Sequence, residues 1–273
     1  MSADRSDQAL SYLFVPASRP ERFGKAAASG AHRIILDLED AVAPAEKDVA
    51  RGAVIDWFRS GGRGVIRING ADTHWFDADL AAVAVCSGAE VMVPKAEPKA
   101  ISRVGHYLVN RQIIALVETV AGLVQIAETA ATKGVRRLAF GNVDFSTDAR
   151  IPASSPALDH ARFQIAMAAR YAGLPPPIDG VTLALDDEAA IGADIETARN
   201  FGFGAKLCIH PRQVGIVNAG FIPSDSEIVW AKRVLAASEQ SGDGAFQLDG
   251  KMIDRPVLDR ARFLLDRVLV PSP

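Results

Sequence analysis

Seven ionisable side chains fall at or just past the ends of short apolar runs, where a buried strand has little use for charge. Asp37, Glu39 and Asp40 close HRIILDLED, Arg67 lies in GVIRIN, Lys95 in EVMVPKA, Glu118 near the end of RQIIALVET, and Asp144 just after VRRLAFGN. Glu118 and Asp144 are hard-oxygen donors. Brought together they suit Mg²⁺, which takes one or two protein carboxylates and leaves its other positions to water and substrate. Taken separately, each acid could instead serve a helix start, Glu118 beside an N-cap and Asp144 as one. No His or Cys lies near either position, which argues against zinc. Arg67 could grip a carboxylate or enolate oxygen with its two-pronged guanidinium, or pair with Asp37 or Glu39 from the neighbouring strand. Lys95 could form a Schiff base, but with Glu39, Glu118 and Asp144 at hand a charged lysine paired to an acid is the expected state.

These side chains need elements that carry them to one place. Eight β-rich runs occur in order: 11–17, 32–40, 64–69, 90–96, 111–119, 135–142, 179–185 and 205–210. Between them lie stretches with helical periodicity, such as 45–60, 156–172 and 188–201, so the pattern is one of βα units around a parallel sheet. Eight such units close a TIM (β/α)8 barrel, an α/β fold whose chemistry sits at the carboxyl ends of the strands. The charges crowd at those ends, with Lys206 and His210 expected to join them from the eighth run. An open doubly wound sheet is the competing fold, but the turn after its first strand is normally glycine-rich, and here it reads VPASRPERF.

Length fits the same architecture: 273 residues exceed the roughly 250 of a barrel by a short appendage. The expected division is a barrel over 11–222 and a C-terminal helical lid or arm over 223–273. In that arm, helices are expected at 224–238 and 256–268, joined by a polar turn SGDGAFQLDGK whose tract 241–244 is a hinge candidate. With 49% hydrophobic and 23% charged residues the chain can bury a large core, and its formal charge of −3 carries no massed Lys and Arg of the kind that neutralises nucleic acid. Cys86 and Cys208 sit in apolar stretches without metal-ligand spacing and read as small buried hydrophobes in a reducing compartment. The polar start MSADRSDQ and the absence of an 18-residue apolar stretch point to a cytoplasmic protein with no membrane partner. His32, His74, His106 and His160 read as surface residues.

The segments LFVPASRPERF, ILDLEDAV followed by Lys47, VIRIN, VMVPKAE, LVETVAG, FGNVDF and GAKLCIHPRQ, in that order, resemble the citrate lyase beta-subunit-like family, which holds citryl-CoA, malyl-CoA and citramalyl-CoA lyases within the HpcH/HpaI aldolase superfamily. The likeness runs from about residue 11 to the end of the chain. It implies a barrel assembled as homotrimers or hexamers that uses Mg²⁺ to cleave a 3-hydroxy acyl-CoA thioester into acetyl-CoA and a 2-oxo acid through a stabilised enolate. Carried over by position, Glu118 and Asp144 would ligate the metal and Arg67 would bind substrate oxygens. Phe14, Arg19 and Lys25 would lie at the CoA entrance. Asp254, in DGKMIDRPVLDRA, would be an acid/base delivered by a C-terminal lid to a neighbouring subunit; the sequence alone also allows it to cap the last helix.

One departure concerns the metal loop. Relatives follow the metal-binding Asp with a second Asp, then Leu and Gly, whereas this chain reads Asp144-Phe145-Ser146-Thr147-Asp148-Ala149-Arg150. Asp144 and Asp148 together should preserve ligation, while recognition of the oxo acid is open to change. Two alternatives share the barrel and the acid pair: a class II aldolase that cleaves 4-hydroxy-2-oxo acids without CoA, and a beta subunit working within a multi-subunit citrate lyase complex beside an acyl-carrier protein.

Overall fold

The structure, a computed structural model, describes residues 8–241 and 244–268. Eight parallel strands form a closed barrel: β1 (Ser11–Pro16), β2 (Arg33–Asp37), β3 (Val65–Arg67), β4 (Glu90–Val93), β5 (Ile113–Val117), β6 (Val135–Phe140), β7 (Ile178–Asp179) and β8 (Ala205–Cys208). Each pairs with the next in the chain, and β8 returns to β1 through Ser11 beside Lys206. Because strand side chains alternate, one set of every strand fills the lumen. Tyr12, Ile35, Val65, Met92, Ile114, Ala139 and Leu207 form that filling, each at most 3% exposed. Arg137 plugs the amino-terminal end, donating to the carbonyls of Ala9 and Pro176 and to the Tyr12 hydroxyl.

Helices flank the strands in turn: α1 (Phe23–Ala27), α2 (Lys47–Arg59), α3 (Phe76–Val85), α4 (Pro98–Tyr107), α5 (Val120–Val124), α6 (Ile126–Ala131), α7 (Asn142–Asp148), α8 (Ala157–Tyr171), α9 (Glu188–Asn200) and α10 (Pro211–Phe221). Local chemistry sets several starts. Pro98 opens α4 where its missing N–H costs nothing, and Thr119 accepts from the Gly122 amide to cap α5. The seventh run is displaced from its expected place. The strand covers only Ile178 and Asp179, and 180–187 continues as loop, held there by side chains and not by a ladder.

The chain divides into two compact units between Asn218 and Ala219. In the second, α11 (Asp225–Ser241) and α12 (Arg255–Val268) pack together around Ala231, Val234, Ala261 and Leu264. The segment expected as a polar turn contains an antiparallel hairpin, β9 (Phe246–Leu248) and β10 (Lys251–Ile253). Asp249 and Gly250 turn it with φ of 50° and 74°, the positive values that a two-residue Asp-Gly loop supplies. Ile253 is its one side chain buried in the unit's core, so the strands are too short and too exposed to leave an apolar run in the sequence. Of the hinge candidate, Gly242 and Asp243 lie outside the described residues.

Candidate active site

The carboxyl ends of β2, β3 and β5 place Asp37, Arg67 and Glu118 around one cavity of about 450 Å³, and α7 adds Asp144. Arg67 is 8% exposed and tightly engaged. Its Nε and Nη2 donate to the two oxygens of Asp37 at 2.8 and 2.7 Å, its Nη1 stands 3.1 Å from Glu39 Oε2, and its plane lies 4.8 Å over the Phe14 ring. The pairing anticipated from the neighbouring strand is therefore present. Burial opposes the charge on Arg67, but Asp37 and Glu39 outweigh it and hold the guanidinium above its usual range.

The acids pay for this crowding in proton affinity. Burial, opposed in part by Arg67, pushes the Glu39 carboxyl up to about 7. Burial and then the nearby Glu39 push Glu118 up to about 8. Glu118 is 2% exposed; its Oε1 accepts from the Lys95 amide at 2.8 Å, while its Oε2 has no hydrogen-bond partner. The geometry depends on two unusual backbone positions. Lys95 adopts φ of 47°, which turns its amide to Glu118, and Gly141 passes so close that an added Cβ would sit 2.5 Å from the Cβ of Glu118.

Lys95 Nζ is 3.7 Å from Glu39 Oε1. Although burial lowers its proton affinity, Glu39 and Glu118 raise it further, so this lysine is charged and not poised for Schiff-base chemistry. Beneath Glu39, buried Lys47 donates to the carbonyls of Leu38 and Glu39, each at 2.6 Å, and to Asn69 Oδ1 at 2.7 Å. Asn69 in turn is fixed by Asp79. This scaffold holds the turn that presents Glu39 and Asp40.

Asp144 lies in the first turn of α7 but does not cap it; Gly141 holds the cap position. Burial and then Asp40 raise its carboxyl above the ordinary range. Glu118 and Asp144 are thus the pair that could hold a hard divalent cation. The unpartnered Oε2 of Glu118 is the kind of buried atom a cation would satisfy. Two carboxylates are the donor set of an ion that keeps several waters; among the described residues no three His, Cys, Asp or Glu side chains gather as a metal cluster.

Other expected members fall elsewhere. Asp148 gives Oδ2 to the Val120 amide at 2.7 Å and serves the start of α5. Lys206 points away from the lumen, because its neighbour Leu207 takes the inward position, and it binds Asp179 and the Gly180 carbonyl outside the barrel. His210 accepts from the Arg212 amide at the start of α10. His32 is half-buried and bonded to Asn218, not a free surface residue. Arg19 and Lys25 are exposed on the segment after β1, outside the cavity lining, whereas Phe14 lines it. Asp254 accepts from the Val257 amide at 3.3 Å and from Leu258 through its carbonyl, the contacts of an N-cap to α12. Among the cavity-lining residues that sequence reasoning passed over are Gly141 and Asn142, hinted at only as the Gly-Asn pair before Asp144. A larger cavity of about 1190 Å³ opens at the other rim. It lies at the strand starts, beside the Arg33–Glu90 ion pair, and lacks the converging acids that make the smaller one the candidate site.

Fold and site together define a (β/α)8 barrel whose acids and arginine converge at the carboxyl ends of its strands. The chain belongs to the HpcH/HpaI aldolase/citrate lyase family, whose sequence profile matches residues 10–211. It is 41% identical over 263 residues, 94% of each chain, to a citrate lyase subunit beta-like protein of Mycobacterium tuberculosis. It is 34% identical over 262 residues, 92% of each, to a (3S)-malyl-CoA thioesterase of Cereibacter sphaeroides. Its fold superposes with a TM-score of 0.84 on the crystal structure of CitE from M. tuberculosis in complex with magnesium, acetoacetate and coenzyme A, at 36% identity over 96% of this chain and 99% of that one. Among the described residues no helix is long and apolar enough to cross a membrane.

Proposed function

We propose that this chain is a Mg²⁺-dependent carbon–carbon lyase that cleaves a 3-hydroxy acyl-CoA thioester of the citryl, malyl or citramalyl type into acetyl-CoA and a 2-oxo acid. The observation that carries the reading is the pairing of Glu118 and Asp144 on one cavity with a buried, doubly anchored Arg67 beside them. The magnesium and coenzyme A of the M. tuberculosis CitE complex support it. Glu118 and Asp144 would hold the ion, which when bound supplies Lewis-acid polarisation of the oxo acid carbonyl. Arg67 offers its Nη1 side to developing negative charge, pre-oriented by Asp37 so that no reorganisation is needed as the bond breaks. Phe14, against which Arg67 stacks, would shape the entrance, and Arg19 and Lys25, exposed after β1, would meet the phosphates of CoA from solvent. Asp254 exchanges the proton at the thioester α-carbon from the C-terminal unit of a neighbouring subunit in a trimer or hexamer, excluding water as it arrives.

Thioester hydrolysis is a second reading, favoured by the likeness to the C. sphaeroides malyl-CoA thioesterase. A screen of citryl-, malyl- and citramalyl-CoA with Mg²⁺, following both free CoA and oxo acid, separates the two. Lyase action releases an oxo acid and keeps the acetyl thioester; hydrolysis releases CoA and the intact hydroxy acid. Glu118→Gln and Asp144→Asn should each abolish turnover with the fold retained, and full turnover of either variant in a chelator would end the metal-assisted reading.

A further inference from the structure

β7 is two residues long, yet Val181 just beyond it lines the cavity. Backbone pairing on either side stops at Ile178 and Asp179. Past that point two side-chain amides replace the ladder. On the β6 side, Asn142 Oδ1 accepts from the Val181 amide at 2.9 Å and its Nδ2 donates to the Val181 carbonyl at 3.1 Å, the two-point bond of a paired strand residue. On the β8 side, Gln213 Oε1 accepts from the amides of Ile209 and His210 at 2.9 and 3.3 Å. Its Nε2 donates to the carbonyls of Thr182 and Ala184 at 2.8 and 3.2 Å. A primary amide has the planar donors and acceptor of a peptide group, so it can stand in for a missing rung. Gln213 is 2% exposed, and a Cβ at position 180 would meet Asn142 Oδ1 at 2.0 Å, so Gly180 is what lets the first clasp close.

These clasps fix Val181 and Ile209, apolar lining of the cavity that also holds Arg67, Glu118 and Asp144. Asn142 is also the first residue of α7, the helix that carries Asp144, so the wall is tied to the element that presents the acid. We propose that Asn142 and Gln213 are positioning residues that complete the truncated seventh strand and hold an apolar wall that discriminates among alkyl substituents on the reacting carbons. The wall's effect on substrate choice rests on the lyase reading; the clasp itself does not.

Hydrogen–deuterium exchange on the full chain without substrate tests the clasp. Asn142→Ala should speed exchange across 180–185 by about tenfold or more, because the Val181 amide loses its acceptor. Gln213→Ala should do the same there and at 209–210. Asn142→Asp, which keeps the oxygen that accepts from the Val181 amide, should restore most of the protection at 181. Gln213→Glu, which keeps Oε1 but loses the donors to Thr182 and Ala184, should restore it at 209–210 only. Gly180→Ala, which drives Asn142 off Val181, should reproduce Asn142→Ala and serves if that variant does not fold. In turnover, the wild-type preference between oxo acids that differ by one methyl, worth roughly 10- to 200-fold in an apolar pocket, should fall toward parity in both alanine variants, through KM more than kcat. Unchanged exchange over 180–185 overturns the clasp, and a loosened wall with unchanged preference overturns its role in specificity. A wild-type chain that turns over no thioester would sink the lyase reading, and the exchange data would still decide the clasp.

Discussion

Asp37 takes two of the three guanidinium nitrogens of Arg67, Nε at 2.8 Å and Nη2 at 2.7 Å, so the fork that could have gripped a substrate carboxylate is already engaged within the protein. What remains for substrate is the Nη1 edge, shared with Glu39. A lysine in this place keeps a charge but cannot serve Asp37 and the cavity at once. Arg67→Lys should therefore lower kcat/KM by roughly 10²-fold or more, as loss of an oxyanion donor does. Wild-type kinetics in this variant would reduce Arg67 to a structural ion pair.

Proton uptake by the acids gives a signed pH dependence. Folding raises the Glu39 and Glu118 carboxyls from 4.5 to about 7 and about 8, so the folded chain binds protons there that the unfolded chain releases. Their contribution to stability is full below pH 4.5 and is lost as pH rises through about 7 and about 8. In chelator, the melting-temperature advantage of wild type over Glu118→Gln should shrink between about pH 5 and pH 9. Mg²⁺ competes with the proton on Glu118, so the stabilisation it confers should grow over the same range, with proton release measurable by calorimetry in buffers of different ionisation enthalpy. Stabilisation that is flat or falls with pH would count against Glu118 as a ligand.

Lys47 offers a stability test away from the cavity. Burial lowers its proton affinity, yet four surrounding acids and three hydrogen bonds retain the cation. Lys47→Met takes the donor from Asn69 Oδ1 and leaves the Leu38 and Glu39 carbonyls with one donor each, Asn69 Nδ2 and the Val42 amide. An unsatisfied buried group costs about 1–3 kcal/mol, so a loss of about 1–3 kcal/mol in chemical denaturation is expected. A loss below about 1 kcal/mol would mean that water replaces the ammonium.

Asp254 caps α12 with one carboxylate oxygen, and the proposed role in a neighbour's site is decided by mixing. Asp254→Ala and Glu118→Gln oligomers should each be nearly inactive. After subunit exchange, verified by mass spectrometry, part of the activity should return, because some mixed sites combine an intact barrel with an intact neighbouring Asp254. No recovery would leave Asp254 as a helix cap.

The barrel was legible because its information is local and periodic. Continuous apolar runs within 11–17, 32–40 and 111–119 mark strands buried on both faces, and the acids and bases crowded where such runs end identify the working rim; Arg67, Glu118 and Asp144 follow from that rule. The rule fails where tertiary contacts replace local ones. Nothing in AKLCIH says that Lys206 faces outward; that depends on the register that puts Leu207 in the lumen. The seventh strand ends at Asp179 because Asn142 and Gln213, one 37 residues before it and the other 34 after, supply the hydrogen bonds that β-rich composition over 179–185 led one to credit to a strand. Sequence by itself marked Arg67, Glu118 and Asp144 for the mouth, since run ends are properties of neighbours in the chain, but it sent Lys206 and His210 there as well. Only the folded chain decided which oxygen of Glu118 stays open and which nitrogen of Arg67 stays available, because those depend on distances between strands that the chain order does not contain.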